Sequence, residues 1–251
     1  MILTIPNKVS WQKDITANSL EHYSKNIAKR IGKTQLQSSR DGITYEVKEL
    51  TKDLLDWFTP IYNEKILGKN SPVVSNLYTT TQNNPDKNYQ ILIVSENDVR
   101  VGGVIFSVTQ NDLNIAYKIF SDSWISSTLP ASPSLYADYL LTVYGFKTGK
   151  TMISHGKDRN GYGKTSSIGL AIFKISLGYK PCLPKKFIQS EMDTSNIDCD
   201  SLYFVNTENP KELVGNLFTT PLTQEKWSRL HSYQDSVTIH WIMREEKVRG
   251  Q

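Results

Sequence analysis

The sequence predicts an α+β fold with a mixed, mostly antiparallel central sheet and helices on both of its faces. Between residues 90 and 120, three segments rich in β-branched and aromatic residues are separated only by Asn97-Asp98 and Asn111-Asp112. Two-residue turns of this kind join neighbouring antiparallel strands, so the three segments form a meander. Outside the meander, strands alternate with segments of helical period. This combination argues against a doubly wound parallel sheet.

Before the meander, the chain divides into an arm and the beginning of the main domain. Residues 1–42 are polar and are predicted to form an N-terminal arm, with a short helix over 18–31. The main domain then starts with an alternating strand at 43–50 and an amphipathic helix at 51–66.

After the meander, helices and strands alternate. Residues 134–149 have apolar side chains at helical spacing, and a strand follows at 150–156. Residues 166–178 predict a second helix, which begins at a Ser pair and ends at Gly178. One domain therefore spans 43–251, with 200–251 either completing its sheet or forming a C-terminal extension.

Composition excludes several classes of protein. The 251 residues carry a net charge of +4, which is low for a dedicated nucleic-acid-binding protein and suits a small anionic ligand. The two cysteines and four histidines have no metal-ligand spacing, so neither a disulfide framework nor a metal site is expected. The longest apolar runs are too short to span a membrane, and the N-terminus lacks the apolar core of a signal peptide. We therefore expect a soluble, cytoplasmic protein.

Residues 155–167, HGKDRNGYGKTSS, combine features of an anion-binding loop. Cations and glycines lie together just before a predicted helix N-terminus, whose free N–H groups and dipole favour an anion. The candidate anion ligands are Lys157, Arg159, Gly161, Gly163, Lys164 and Ser167. Because polar loops are common, the alternative is a solvated surface loop that only keeps the protein soluble.

The same stretch contains candidates for acid–base chemistry. His155 stands where the strand ends, and a neutral imidazole there can take a proton from an attacking amine. Asp158 either orients His155 or takes that role itself, and Tyr162 is a candidate proton donor to a leaving thiolate. The alternatives are a histidine hydrogen-bonded at the sheet edge and a tyrosine that only packs.

Three further side chains lie in or after the Ser- and Pro-rich loop at 121–134. Trp124 either lines an acyl pocket or covers the edge of the sheet. Tyr136 falls on the apolar stripe of the following helix and is predicted to be core, whereas Asp138 falls off it and faces solvent or a substrate amine.

The order of elements resembles the GNAT-like acyl-CoA N-acyltransferase superfamily, and within it most closely the branch of FemAB-like aminoacyl transferases. The matching segments lie within 43–185 and are VGGVIFSV, LYADYLLTVYGFKTG, TMISHG and GLAIFKISLGYKP. One departure is clear. Common acetyltransferases carry an Arg/Gln-x-x-Gly-x-Gly/Ala signature for the coenzyme A pyrophosphate, and this chain has SDSWISSTLPASPS at that position.

The resemblance implies an N-acyltransferase in which an amine attacks the acyl donor directly. The donor is a thioester, acyl-CoA or carrier-bound, used as a co-substrate with no permanently bound cofactor. The acceptor is an amine of a small molecule or sugar. Lys174 matches a lysine that stabilises developing charge in FemAB-like proteins, or else is an exposed helix lysine.

Two other functions remain open at this stage. In an aminoacyl-tRNA-dependent transferase, the basic stretch 25–40 would contact the RNA backbone. In a non-catalytic binding module, the missing pyrophosphate signature would reflect lost catalysis. A homodimer is compatible with any of these functions.

Overall fold

The computed structural model describes residues 1–68, 76–82, 87–121, 129–207, 212–233 and 236–244. The chain divides into two compact units. The inner unit comprises Asp14–Ser154, and the terminal unit comprises Met1–Lys13 together with His155–Gln251. This division by contacts does not test the sequence-based boundary at residue 42, so the N-terminal arm over 1–42 stays a prediction. Trp124 lies outside the described residues.

Strands and short helices alternate along the described chain. The strands are β1 Ile2–Pro6, β2 Lys8–Asp14, β3 Ile43–Glu49, β4 Asn88–Glu96, β5 Val99–Val108, β6 Asp112–Phe120, β7 Met152–Arg159, β8 Lys180–Cys182, β9 Gln189–Asp193, β10 Ser201–Asn206, β11 Leu213–Thr219 and β12 Ile239–Met243. The α-helices are α1 Lys25–Ser38, α2 Lys52–Leu67, α3 Leu77–Gln82, α4 Pro133–Lys147 and α5 Ile168–Ser176. Two 3-10 helices lie at Thr194–Asn196 and Gln224–Tyr233. None of the described helices is long and apolar enough to cross a membrane.

The inner unit contains the predicted meander. Its strands follow the order β3-β4-β5-β6-β7, antiparallel except for the parallel pair β6–β7. Asn97 and Asp98 have φ values of 48° and 65°, which the mirror-image turns of tight hairpins require. The predicted fold class, a mixed and mostly antiparallel sheet with helices, is therefore confirmed.

Helix α2, predicted over 51–66, packs against the meander. The Thr51 side chain accepts a hydrogen bond from the Leu54 N–H at 3.4 Å and caps the helix. Leu54 and Phe58 on its buried face pack with Ile91 and Ile105 of the sheet. This cluster excludes water from one face of the inner sheet.

Helix α1 and the segment before it pack on α4 through buried polar contacts, of which Ser38 Oγ and Tyr136 Oη, 3.1 Å apart, join the two helices. Helix α1 begins at Lys25, later than predicted, because the Asn18 side chain holds the preceding residues in turns, accepting from Leu20 N–H at 3.3 Å. Tyr23 Oη donates to Asp138 Oδ2 at 2.7 Å, and Asp138 is only 2% exposed. The predicted exposure of Asp138 to solvent is therefore wrong, since α4 is buried on nearly every side, and its contact with a substrate amine stays a prediction. Tyr136 is core, as predicted.

The terminal unit contains three groups of strands. The second half of β7 is followed in sheet order by β2 and β8, β1 pairs with β9, and β10-β11-β12 form a sheet of their own. In the described part of the chain, β10, β11 and β12 therefore do not extend the first sheet. The N-terminal residues, treated as irregular from the sequence, form β1 and β2. The polar residues Ser10, Gln12 and Lys13 hide the strand pattern of β2 around its buried Val9 and Trp11.

Candidate functional site

An ion pair between a buried lysine and a partly buried aspartate lies in the terminal unit. Lys174 of α5 is 2% exposed, and its Nζ donates to Asp158 Oδ2 of β7 at 2.8 Å. The same ammonium donates to the backbone oxygen of His155 at 3.1 Å. Buried lysines are rare unless paired, so the position of Lys174 depends on Asp158. Of the two readings of Lys174, an exposed helix lysine is therefore wrong.

Two more donors share the oxygen of Asp158 that Lys174 contacts. Trp11 Nε1 lies 2.9 Å from Asp158 Oδ2, and Tyr162 Oη donates to it at 2.7 Å. The Trp11 N–H is shared with Tyr162 Oη, also at 2.9 Å. Asp158 Oδ1 has no hydrogen-bond partner among the described residues, and 14% of the side chain remains exposed. We call Trp11, Asp158, Tyr162 and Lys174 the Asp158 cluster. It holds one carboxylate oxygen and leaves the other open.

Local sequence explains how the cluster is assembled. The Ser167 hydroxyl accepts from Gly169 N–H at 3.0 Å and caps α5, the helix that carries Lys174. Helix α5 ends at Gly178, whose φ of 84° favours glycine. Tyr162 is held on β10 by reciprocal backbone hydrogen bonds with Leu202 at 3.0 and 2.8 Å. Helix α5 and strand β10 therefore hold two of the three donors to Asp158, Lys174 and Tyr162, in place.

Burial sets the protonation of the groups around Asp158. Desolvation lowers the pKa of Lys174, and the charge and hydrogen bond of Asp158 oppose that shift. Desolvation also raises the pKa of Tyr162, and the Asp158 charge raises it further. Tyr162 is therefore a neutral phenol that donates its hydrogen bond to Asp158. Its side chain has no exposed surface, so the predicted protonation of a thiolate would have to pass through Asp158.

His155 lies beside the cluster. Its imidazole and a second buried lysine, Lys13, both contact the ring of Tyr179. The imidazole is edge-on to Tyr179, with ring centroids 5.3 Å apart. Lys13 Nζ lies 4.7 Å from the centroid of the same Tyr179 ring, and Lys13 is buried. The register of β2 with β8, Gln12 opposite Lys180, explains why Lys13 meets Tyr179.

Sequence reasoning missed Trp11, Lys13 and Tyr179. Trp11 and Lys13 are two residues apart on β2, a spacing that places them on one face of a strand. The signal available in the sequence was a large apolar residue, Trp11, two positions before Lys13, which is strand spacing. It lay within residues 1–42, which were predicted to form an arm.

The predicted anion ligands separate into two groups. Lys157 and Arg159 are exposed, lie two residues apart on β7, and make no ion pair or hydrogen bond with the described residues. The predicted strand ends at 156, but β7 continues to Arg159. This extension places the two cations on one side of a strand. They remain candidates for binding an anion.

The other predicted ligands have contacts within the protein. Lys164 Nζ donates to the Asn196 backbone oxygen at 3.2 Å and lies 3.9 Å from Asp198. A Cβ at Gly161 would lie 3.1 Å from the Tyr203 ring, and one at Gly163 would overlap the Asp200 carbonyl oxygen. These contacts account for the two glycines without any ligand. Gly161 and Gly163 flank Tyr162 of the Asp158 cluster in the sequence, and the part of this group in anion binding stays a prediction.

Tyr162→Phe is expected to lower the free energy of unfolding by about 2 kcal/mol at neutral pH, because Asp158 loses a charged hydrogen bond. The raised pKa means that folded Tyr162 keeps its proton above the ordinary tyrosine value of about 10, while the unfolded chain loses it. The stabilisation by Tyr162 is thus present below that pH and declines above it. Urea unfolding of both proteins across this range measures the difference. A difference that stays constant above pH 10 would contradict the assignment.

Comparison with known proteins identifies related folds by structure but not by sequence. No protein-family model matches the sequence, and no curated protein sequence does either. Among solved structures, FemX matches with a TM-score of 0.53 and 13% identity, over 69% of this chain and 59% of FemX. The C-terminal domain of an Agrobacterium fabrum protein named as a lysylphosphatidylglycerol synthetase matches with a TM-score of 0.51 and 11% identity, over 78% of this chain and 63% of that domain. The chain has a GNAT-like fold.

The likeness to FemX confirms the predicted resemblance at the level of the fold. Identities of 13% and 11% are too low to transfer an activity. The chain also spans only about three fifths of the length of each structure, with 59% and 63% covered. Activity, donor and acceptor therefore have to be argued from the site.

Proposed function

We propose that the protein is an N-acyltransferase that moves an acyl group from a thioester donor to an amine of a small molecule or sugar. The observation that carries the proposal is the buried Asp158–Lys174 pair at 2.8 Å, within a GNAT-like fold. Burying an ion pair costs desolvation energy, so its presence favours a functional role. The amine nitrogen forms a bond to the acyl carbon while the carbon–sulfur bond breaks, so no covalent enzyme intermediate is needed. The donor leaves as its thiol, which takes up the proton that the amine gives to Asp158.

Asp158 and Lys174 take complementary roles in this reaction. Asp158 Oδ1, the oxygen without a described partner, aligns the attacking amine and accepts its proton, with His155 as the alternative base. Lys174 keeps a positive charge beside the reacting groups, where it stabilises the negative charge that develops on the acyl oxygen. Trp11 and Tyr162 are positioning residues, since both act through Asp158.

Lys157 and Arg159 are proposed to bind the anionic part of the donor. Both are exposed cations that flank Asp158 on β7, with their side chains on the face of the strand opposite to the Asp158 carboxylate. Acyl-CoA is rich in phosphate, so a donor held by these two cations would have to reach Asp158 around the end of β7. The cations would replace the pyrophosphate signature that residues 121–134 lack. A carrier-bound thioester would use the same two side chains.

Thermal unfolding with coenzyme A, acetyl-CoA and longer acyl-CoAs tests the proposal. A ligand present at 100 times its dissociation constant should stabilise the folded protein by about 2.7 kcal/mol. We expect a shift with an acyl-CoA that is lost in Lys157→Ala/Arg159→Ala. The matched control is Lys29→Ala/Lys33→Ala, which removes two exposed charges from α1. Equal loss in both variants would point to non-specific charge and contradict the site.

The exposed face of α1 favours a second candidate, an aminoacyl-tRNA-dependent transferase. Lys25, Lys29 and Lys33 are exposed at four-residue spacing, and the helix contains no acidic residue. Like charges at this spacing repel one another, and an RNA backbone would relieve that repulsion. For this candidate, Lys29→Ala/Lys33→Ala should weaken binding of bulk tRNA and reduce its salt dependence, while Lys157→Ala/Arg159→Ala should not. The two double variants therefore serve as controls for each other.

A further inference from the structure

A second exposed surface of the terminal unit combines cations with apolar side chains. Residues 185–188 read Lys-Lys-Phe-Ile, and all four are exposed. Phe187 is 36% exposed and Ile188 is 70% exposed. Single exposed apolar residues are ordinary on protein surfaces. Two adjacent ones that directly follow two lysines are a pattern typical of a surface that meets another phase or partner.

This segment is held in place by the turn between β1 and β2. Asn7 N–H donates to the Ile188 backbone oxygen at 2.8 Å, and Ile188 N–H donates to Asn7 Oδ1 at 2.9 Å. Pro184, just before the segment, is buried. Lys8 follows Asn7 in the chain and is also exposed. We call Lys8 and residues 185–188 the Lys185 surface. Because its backbone is already fixed, docking would cost little ordering entropy.

The charge of the Lys185 surface is not neutralised within the protein. None of Lys8, Lys185 and Lys186 forms an ion pair with a residue that the structure describes, whereas Lys164 lies near Asp198. The next acidic residues along the chain are Glu191 and Asp193, which belong to the ribbon of β1 and β9. The surface therefore presents three positive charges around two apolar side chains.

We propose that the Lys185 surface docks the protein onto an anionic lipid bilayer. Lysines near a bilayer surface are attracted to anionic headgroups, and Phe187 and Ile188 insert into the boundary between headgroups and acyl chains. A nucleic acid would pair with the lysines but would give the Ile188 side chain no apolar environment. A second copy of the chain would need about 800 Å² of buried surface per partner, which two apolar side chains do not supply.

Helix α1 has exposed cations, but its described residues include no adjacent pair of exposed apolar side chains. Its apolar residues Ile27 and Ile31 are buried, and Leu36 is the apolar side chain that its described outer face exposes. The inference about the Lys185 surface is independent of the proposed acyl transfer, because no described contact joins the surface to Asp158 or Lys174.

Co-sedimentation with vesicles tests the proposal on the full chain. We expect binding to phosphatidylcholine vesicles that contain phosphatidylglycerol, and much weaker binding to phosphatidylcholine alone. Lys185→Gln/Lys186→Gln should weaken binding roughly 30-fold, at about fivefold for each lysine. Phe187→Ser/Ile188→Ser should weaken it about tenfold or more, because the inserted side chains are lost. Lys29→Gln/Lys33→Gln, which removes the same charge from α1, should bind like the wild type.

Three results would overturn the proposal. Wild-type binding that does not depend on phosphatidylglycerol would remove the role of charge. An equal loss in Lys29→Gln/Lys33→Gln would make the attraction non-specific. Dissociation of a dimer by Phe187→Ser/Ile188→Ser in analytical ultracentrifugation would assign the surface to self-association. Circular dichroism checks the folding of each variant, and single Ile188→Ser replaces the apolar pair if that variant unfolds. Failure here leaves the acyl-CoA result unaffected, so the two proposals fail separately.

Discussion

Asp158→Asn is expected to lower the free energy of unfolding by about 3 kcal/mol, because it leaves the Lys174 ammonium buried without its counter-ion. The Lys174 side chain is only 3% exposed, so water cannot take the place of the carboxylate. Asn is nearly the same size as Asp, and its carbonyl can still accept from Trp11 and Tyr162. The loss therefore reports the charge of Asp158 and not its volume. Urea unfolding at neutral pH measures the effect.

Adding Lys174→Met to Asp158→Asn separates a charge effect from a packing effect. Met fills the space of the lysine stem and carries no charge, so the double variant should be more stable than Asp158→Asn alone. If the two losses simply add, the ion pair is not what makes the single variant unstable. Lys174→Met alone should cost less than Asp158→Asn, because Asp158 keeps two donors and is 14% exposed.

The pH dependence of Asp158→Asn has a definite sign. Burial lowers the pKa of Lys174, and Asp158 is the group that opposes this shift, so the variant should have a still lower pKa. Between that pKa and the ordinary lysine value of about 10.4, the unfolded chain binds the proton more tightly than the folded chain. The contribution of Lys174 to stability therefore rises with pH through this window. Asp158→Asn should recover part of its lost stability at alkaline pH, and a loss that stays constant would contradict the model.

Local pattern predicted most strands of the inner unit but not all of its helices. The three strands of the meander and the Asn97-Asp98 turn each depend on a few consecutive residues and are present, whereas the second turn lies before Asp112, which is the first residue of β6. The start of α1 was placed too early because Leu20 and Tyr23 fit a helical stripe, although Asn18 holds that segment in turns. β2 was missed because its pattern includes Lys13, a charged residue at a buried position.

The candidate site was predicted in composition but not in arrangement. His155, Asp158, Tyr162 and Lys174 attracted attention as unusual residue types near one strand end, and the structure brings them together. Trp11 completes the cluster from 147 positions away in the sequence, a distance that no local pattern can bridge. The sequence also indicated one continuous anion loop, whereas Lys164, Gly161 and Gly163 contact other parts of the chain.

Gly163→Ala is the second substitution with a large expected effect, about 3 kcal/mol of lost stability. Gly163 has a φ of 103°, which L-residues rarely adopt, and an added Cβ would overlap the Asp200 carbonyl oxygen. That oxygen belongs to the backbone and cannot rotate away. The neighbouring Tyr162–Leu202 hydrogen bonds of 3.0 and 2.8 Å would have to lengthen, and Tyr162 would move relative to Asp158. Urea unfolding measures the loss of stability.

Gly149→Ala is the matched control because it shares the backbone requirement without the crowding. Gly149 has a φ of 69°, and an added Cβ would meet no heavy atom within 4 Å. The control should lose only about 1 kcal/mol, the ordinary cost of a left-handed alanine. If both variants lose the same stability, glycine is needed at position 163 only for its positive φ and not for the close contact with Asp200. A much larger loss for Gly163→Ala would instead show that this glycine is needed for close contact with the segment leading into β10. The Gly-Tyr-Gly sequence would then be explained by how the chain positions Tyr162, and anion binding would rest on Lys157 and Arg159.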